Sequence, residues 1–127
     1  MIAKHLGPCL ALLLIAASPA SSASTDLHRD FATCAGRLAA QAEYEAATSA
    51  PQLSATQALL GQFRDLTEAT AQRADWRDSI DIRVRAKLAH QAILTRADTS
   101  ENTQDARWAR QRAAREIARC RSLLLGG

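Results

Sequence analysis

The chain has 127 residues, with 16 Lys and Arg against 13 Asp and Glu and only five glycines and three prolines. That length suits one domain and is too short for two. Good helix formers fill most positions and no stretch sustains period-2 alternation, which excludes a sheet and sets the class as all-α.

The first 23 residues read as a cleavable export signal. Lys4 and His5 form a short basic start, Cys9 to Ala17 an apolar run, and Ser18-Pro19-Ala20 a helix break. Ser21-Ser22-Ala23 supplies the small residues a signal peptidase requires. The apolar run is shorter than the ~20 residues that span a bilayer, so a membrane anchor is the weaker reading. Cys9 precedes the apolar run, which argues against a lipid anchor. A cut after Ala23 takes 23 from 127 residues and leaves 104, the single helical domain 24–127. No later stretch is apolar enough to span a membrane, so no stable span remains. Removing Lys4 leaves 15 basic residues against the 13 acidic ones.

Helix one is expected from Thr25 or Asp26, either of which caps free backbone N–H groups. Leu27, Phe31, Cys34 and Leu38 form its stripe at spacings of four, three and four. Ala35, Ala39 and Ala42 widen it, and Thr48-Ser49-Ala50-Pro51 stops it. Helix two opens at Ser54 with Gln57 three residues on, a capping-box pattern. Leu59, Phe63 and Leu66 make its buried stripe, and Leu60 broadens it. Gly61 inside it costs about 1 kcal/mol relative to alanine. The chain then turns within Thr70 to Asp75, with an unbroken longer helix as the alternative.

Helix three is expected from about Asp75 to Arg96. Trp76, Ile80, Val84 and Leu88 make one apolar stripe, and Ile82, Ala86, Ala89 and Ile93 make a second. Two apolar sides suit the centre of a bundle, the preferred reading, or a contact between copies. Asn102 or Thr103 caps helix four, whose stripe is Ala109, Ala113, Ile117, Cys120 and Leu124. Arg107, Arg110, Arg112, Arg115, Arg119 and Arg121 make this helix strongly basic.

Cys34 and Cys120 both lie on buried stripes. In an antiparallel up-down four-helix bundle the first and last helices are neighbours, and the two cysteines fall at similar heights along them. One disulfide joining the two helices is therefore expected, closing a loop of 86 residues (120 less 34). Such a bond fits a periplasmic or secreted protein.

Chemistry is sparse. There is no Cys-x-x-Cys-His for covalent haem, no methionine after Met1, and no His-x-x-x-His or Glu-x-x-His pair. Phosphate loops and nucleophile elbows are also missing. No catalytic residue, cofactor or metal is expected. Arg83, Lys87 and His90 share one face at helix spacing, which could hold an anion, although a plain solvated face is the commoner use of such a stripe. Glu43 and Glu45 flank Tyr44, and a surface role is expected for both. Trp76 and Trp108 are expected to pack in the core or at its rim.

The segments Phe31-Ala32-Thr33-Cys34-Ala35-Gly36-Arg37-Leu38 and Cys120-Arg121-Ser122-Leu123-Leu124 resemble those of short exported all-helical proteins of uncharacterised function from alphaproteobacteria. That resemblance implies a bacterial periplasmic setting and nothing about activity. The expected function is a non-enzymatic protein-interaction module. Its partner is an unknown protein docking through the Arg-rich fourth helix, not a nucleic acid. The alternative is a small-ligand or anion binder with a pocket between helices, near Trp76 or the Arg83-Lys87-His90 face.

Overall fold

A computed structural model describes residues 20–72 and 76–126, with side chains from Asp26 onward. The fold is all-α: α1 (Ala20–Ala47), α2 (Leu53–Thr70), α3 (Trp76–Thr99) and α4 (Thr103–Leu124). Residues 1–19 of the expected export signal lie outside the described residues. α1 begins at Ala20, so its backbone helix runs through the expected cut after Ala23.

Local chemistry explains most helix ends. α1 closes with Ser49 at positive φ, the Ala50 N–H reaching back to the Glu45 carbonyl at 2.8 Å. This is the left-handed cap that ends many helices, and Pro51 follows it. α2 starts at Leu53 after Gln52, whose side chain makes no capping bond. The capping box expected from Ser54 and Gln57 therefore does not form; the helix has already begun one residue before Ser54. α2 stops at Thr70, with Ala71 extended, so α2 and α3 are separate helices. At α4, the Asn102 side chain accepts from the Gln104 and Asp105 backbone N–H groups.

Cross-helix pairs give the directions. His28 meets Ser79, Gln41 meets His90 and Tyr44 meets Asp98, so α1 and α3 run the same way. Arg96 with Asp105 and His90 with Glu116 set α4 opposite to α3. Cys34 and Cys120 form a disulfide with Cα atoms 5.6 Å apart, joining α1 to α4. Around it the core gathers Phe31, Leu38, Phe63 and Ile117. The Phe31 and Phe63 rings sit tilted, their centroids 6.0 Å apart.

α1, not α3, is the central helix. It packs against α2, α3 and α4, whereas α2 and α3 scarcely touch. Small residues explain this: Ala32, Ala35, Gly36 and Ala40 are buried on different sides of α1 and let neighbours approach closely. The first apolar stripe of α3 is correspondingly left open. Trp76, Ile80, Val84 and Leu88 are each about half exposed, at 55%, 48%, 50% and 59%.

Candidate functional site

Arg83, Lys87 and His90 do not form a shared anion face. His90 is fully buried, its Nδ1 2.9 Å from Glu116 Oε2 and its Nε2 3.0 Å from Gln41 Oε1. Lys87 pairs with Glu43, which also accepts from the Gln91 amide at 2.9 Å. Arg83 lines an open depression of about 270 Å³ with Ile80, Val84, Ala35 and Ala39. The separation has a simple cause. The ridge of α3 that carries residues 83 and 87 lies against α1, and one turn later the helix directs His90 inward between α1 and α4.

His90 belongs to a buried polar spine that the sequence did not reveal. The Gln41 amide donates to Glu45 Oε1 at 2.9 Å, which orients its carbonyl oxygen toward His90. Glu45, expected on the surface, is 7% exposed, and its Oε2 has no hydrogen-bond partner among the described residues. On the other side Glu116 accepts from Arg112 Nε at 3.0 Å and lies 3.5 Å from Arg37 Nε. Burial works to raise the Glu116 pKa, but the bonds from His90 and Arg112 and the charge of Arg37 hold it below the ordinary 4.5. Burial lowers the His90 pKa below 6.5; its bond to Glu116 opposes this and the Arg37 charge reinforces it. A neutral ring carries one N–H, so at neutral pH it serves Glu116 or Gln41, not both.

These shifts predict acid sensitivity. Below pH 6.5 the unfolded chain takes up a proton at residue 90 more readily than the native state does, so stability falls as pH falls. Stability held by the Glu116 carboxylate is present above 4.5 and is lost below it. Melting temperature measured from pH 7.5 downward should begin to drop near 6.5. The variant His90→Gln should flatten the upper part of that slope, and an unchanged slope would contradict the assignment.

A second buried histidine, His28, bridges three helices, contacting Thr70 Oγ1 at 2.9 Å and the Ser79 hydroxyl. Thr70 Oγ1 gives its own proton to the Leu66 carbonyl, so His28 Nδ1 is the donor to Thr70. This histidine fastens the end of α2 and the start of α3 to α1. The two tryptophans are both outside the core. Trp108 is 43% exposed, with the Arg96 guanidinium 5.0 Å from its ring, and Trp76 carries Arg77 at 5.4 Å.

The strongest electrostatic feature is the outer face of α4 where it meets α1. All six arginines of α4 are exposed. Arg112, Arg115 and Arg119 recur at spacings of three and four on one side of the helix. Arg37 of α1 joins them around an open depression of about 490 Å³, in which Glu116 is the one acidic lining residue. Glu116 is already engaged by His90, Arg37 and Arg112. Planar guanidinium forks in this number suit carboxylate or phosphate oxygens, which they bind bidentately. The run of arginines in the sequence signals α4 but not Arg37, which stands apart from it on α1. Its position one turn beyond Cys34, facing Glu116 one turn before Cys120, follows only once the disulfide is in place.

Among the described residues no three His, Cys, Asp or Glu side chains gather as a metal site, and no helix is long and apolar enough to cross a membrane. No protein-family model, curated protein or solved structure matches the chain.

Proposed function

We propose that this chain is an exported, non-enzymatic interaction protein that docks an acidic protein partner on the arginine face formed by α4 and α1. The observation that carries the reading is the convergence of Arg37, Arg112, Arg115 and Arg119 on one depression whose single carboxylate is internally committed. The depression is open, which suits the surface of a partner better than an enclosed small ligand. The export half of the reading rests on the three-part pattern of residues 1–23 and on the Cys34–Cys120 bond, which is compatible with an oxidising compartment.

Polyglutamate serves as a defined acidic probe. It should bind with an affinity that falls as salt rises, because the arginines are exposed. Arg115→Glu with Arg119→Glu should weaken binding on the order of tenfold or more. Arg107→Glu with Arg121→Glu changes net charge equally and should weaken it much less. Equal losses in the two double variants would show attraction by net charge alone and would defeat the proposal. Arg37 and Arg112 are left intact in this comparison because they also hold Glu116.

A further inference from the structure

A second surface lies on the opposite side of α1. Residues 35 and 39 are each about 200° around the helix from Arg37 at 100° per residue, so the alanine face and the arginine face point apart. Because α2 and α3 both pack on α1 without closing on each other, an open slot runs between them along the small-residue side of α1. Its two depressions, of about 450 and 270 Å³, share Ala39, Glu43 and Arg64 and so lie side by side. Ala35, Ala39, Ala42 and Ala46 form the floor. Leu60 and Arg64 of α2 make one wall, and Ile80 and Val84 of α3 make the other. From Ala35 to Ala46 the floor rises eleven residue steps, roughly 16 Å or three helical turns at 1.5 Å per residue.

We infer that this slot receives an amphipathic helix of another protein, one whose apolar stripe is flanked by acidic residues. An alanine floor admits a helix backbone closely, and the half-exposed Ile80 and Val84 offer apolar contact at helical spacing, the pattern of helix-in-groove recognition. Charge selects the flanks. Arg64, Arg83 and Lys87 line the slot against Glu43 alone, and Glu43 is paired with Lys87. Arg64 and Arg83 have no carboxylate partner among the described residues. The rim therefore carries two uncompensated positive charges, which favour carboxylates on the incoming helix and disfavour lysines. Trp76 and Leu88, exposed beyond the two ends of the Ile80–Val84 wall, extend the apolar contact along α3.

The test uses two synthetic helical peptides with the same leucine stripe at spacings of three and four, one flanked by glutamates and one by lysines. The glutamate peptide should bind the oxidised protein at least tenfold more tightly, with methyl NMR shifts at Ala35, Ala39, Ile80 and Val84. Arg64→Glu with Arg83→Glu should reverse the preference. Val84→Glu should weaken the glutamate peptide by about 30-fold, the scale of an interface hot spot. Leu88→Glu, at the most exposed of the four stripe positions, gives an independent reading of the same wall. Binding of neither peptide, equal binding of both, or shifts confined to α4 would overturn the inference. So would self-association abolished by Val84→Glu in sedimentation, which would assign the slot to a second copy of the chain.

Discussion

Replacing Cys34 and Cys120 together by alanine should lower the unfolding free energy by roughly 4–5 kcal/mol, the chain-entropy value for a bond that closes an 86-residue loop. Against the ~5–15 kcal/mol total of a typical domain, that is a large fraction. Two further effects point the same way. Both cysteines are almost fully buried, at 2% and 0% exposure, among Phe31, Leu38 and Ile117, so the alanines also leave unfilled space. α4 packs chiefly on α3 and touches α1 less extensively, so the disulfide supplies much of what holds α4 to the central helix. Urea titration of the oxidised protein and the double variant measures the difference. The midpoint should fall, and the slope should rise because the unlinked unfolded chain exposes more surface. A loss below about 1 kcal/mol would mean that native packing, not the crosslink, secures α4.

The fold was legible in the sequence where hydrophobic spacing and chain breaks carry the information. The stripe Phe31, Cys34, Leu38 and its counterpart Ala113, Ile117, Cys120 fixed which faces meet, and both cysteines are buried there. Asn102 marked the start of α4 correctly because a capping side chain acts within three residues of itself. What failed was the ranking of helices by apolar content. α3 has the more conspicuous apolar stripes, yet one of them faces solvent, while α1 is central through alanines and a glycine that contribute little hydropathy. Close approach depends on the absence of side-chain volume, and a pattern of apolar residues does not register it. The polar spine was hidden for a related reason. Lys87 and His90 are three residues apart on α3, but the lysine reaches the surface at Glu43 while the imidazole is enclosed by α1 and α4. Glu43 and Glu45 do diverge, as adjacent helical residues must, and the divergence takes Glu45 into the interior.

Gly36→Ala should destabilise the protein by about 2–3 kcal/mol, the upper part of the range for overpacking a tight contact. A Cβ at position 36 would lie 2.3 Å from the Arg83 carbonyl oxygen, 2.9 Å from Ala86 Cβ and 3.0 Å from the Lys87 nitrogen. Two of those atoms are α3 backbone and cannot rotate aside, so the helices must separate. The substitution also brings the helix-propensity gain of about 1 kcal/mol that alanine has over glycine, and the clash has to exceed it. Gly61→Ala measures that gain alone. Gly61 lies inside α2, and beyond its own stretch of helix no atom comes within 4 Å of an added Cβ, so this variant should be stabilised by about 1 kcal/mol. Thermal melts should move in opposite directions, by about 4–8 °C per kcal/mol in a domain of this size. If Gly36→Ala melts as high as Gly61→Ala, then α1 and α3 are not held at backbone contact. The consequence reaches the proposed slot. Its α3 wall stands where Gly36 allows α3 to sit, so a Gly36→Ala protein that remains folded should also bind the glutamate-flanked peptide differently from the parent. Gly61→Ala, where an added Cβ meets no neighbouring helix and leaves the helix spacing as it is, should bind it much as the parent does.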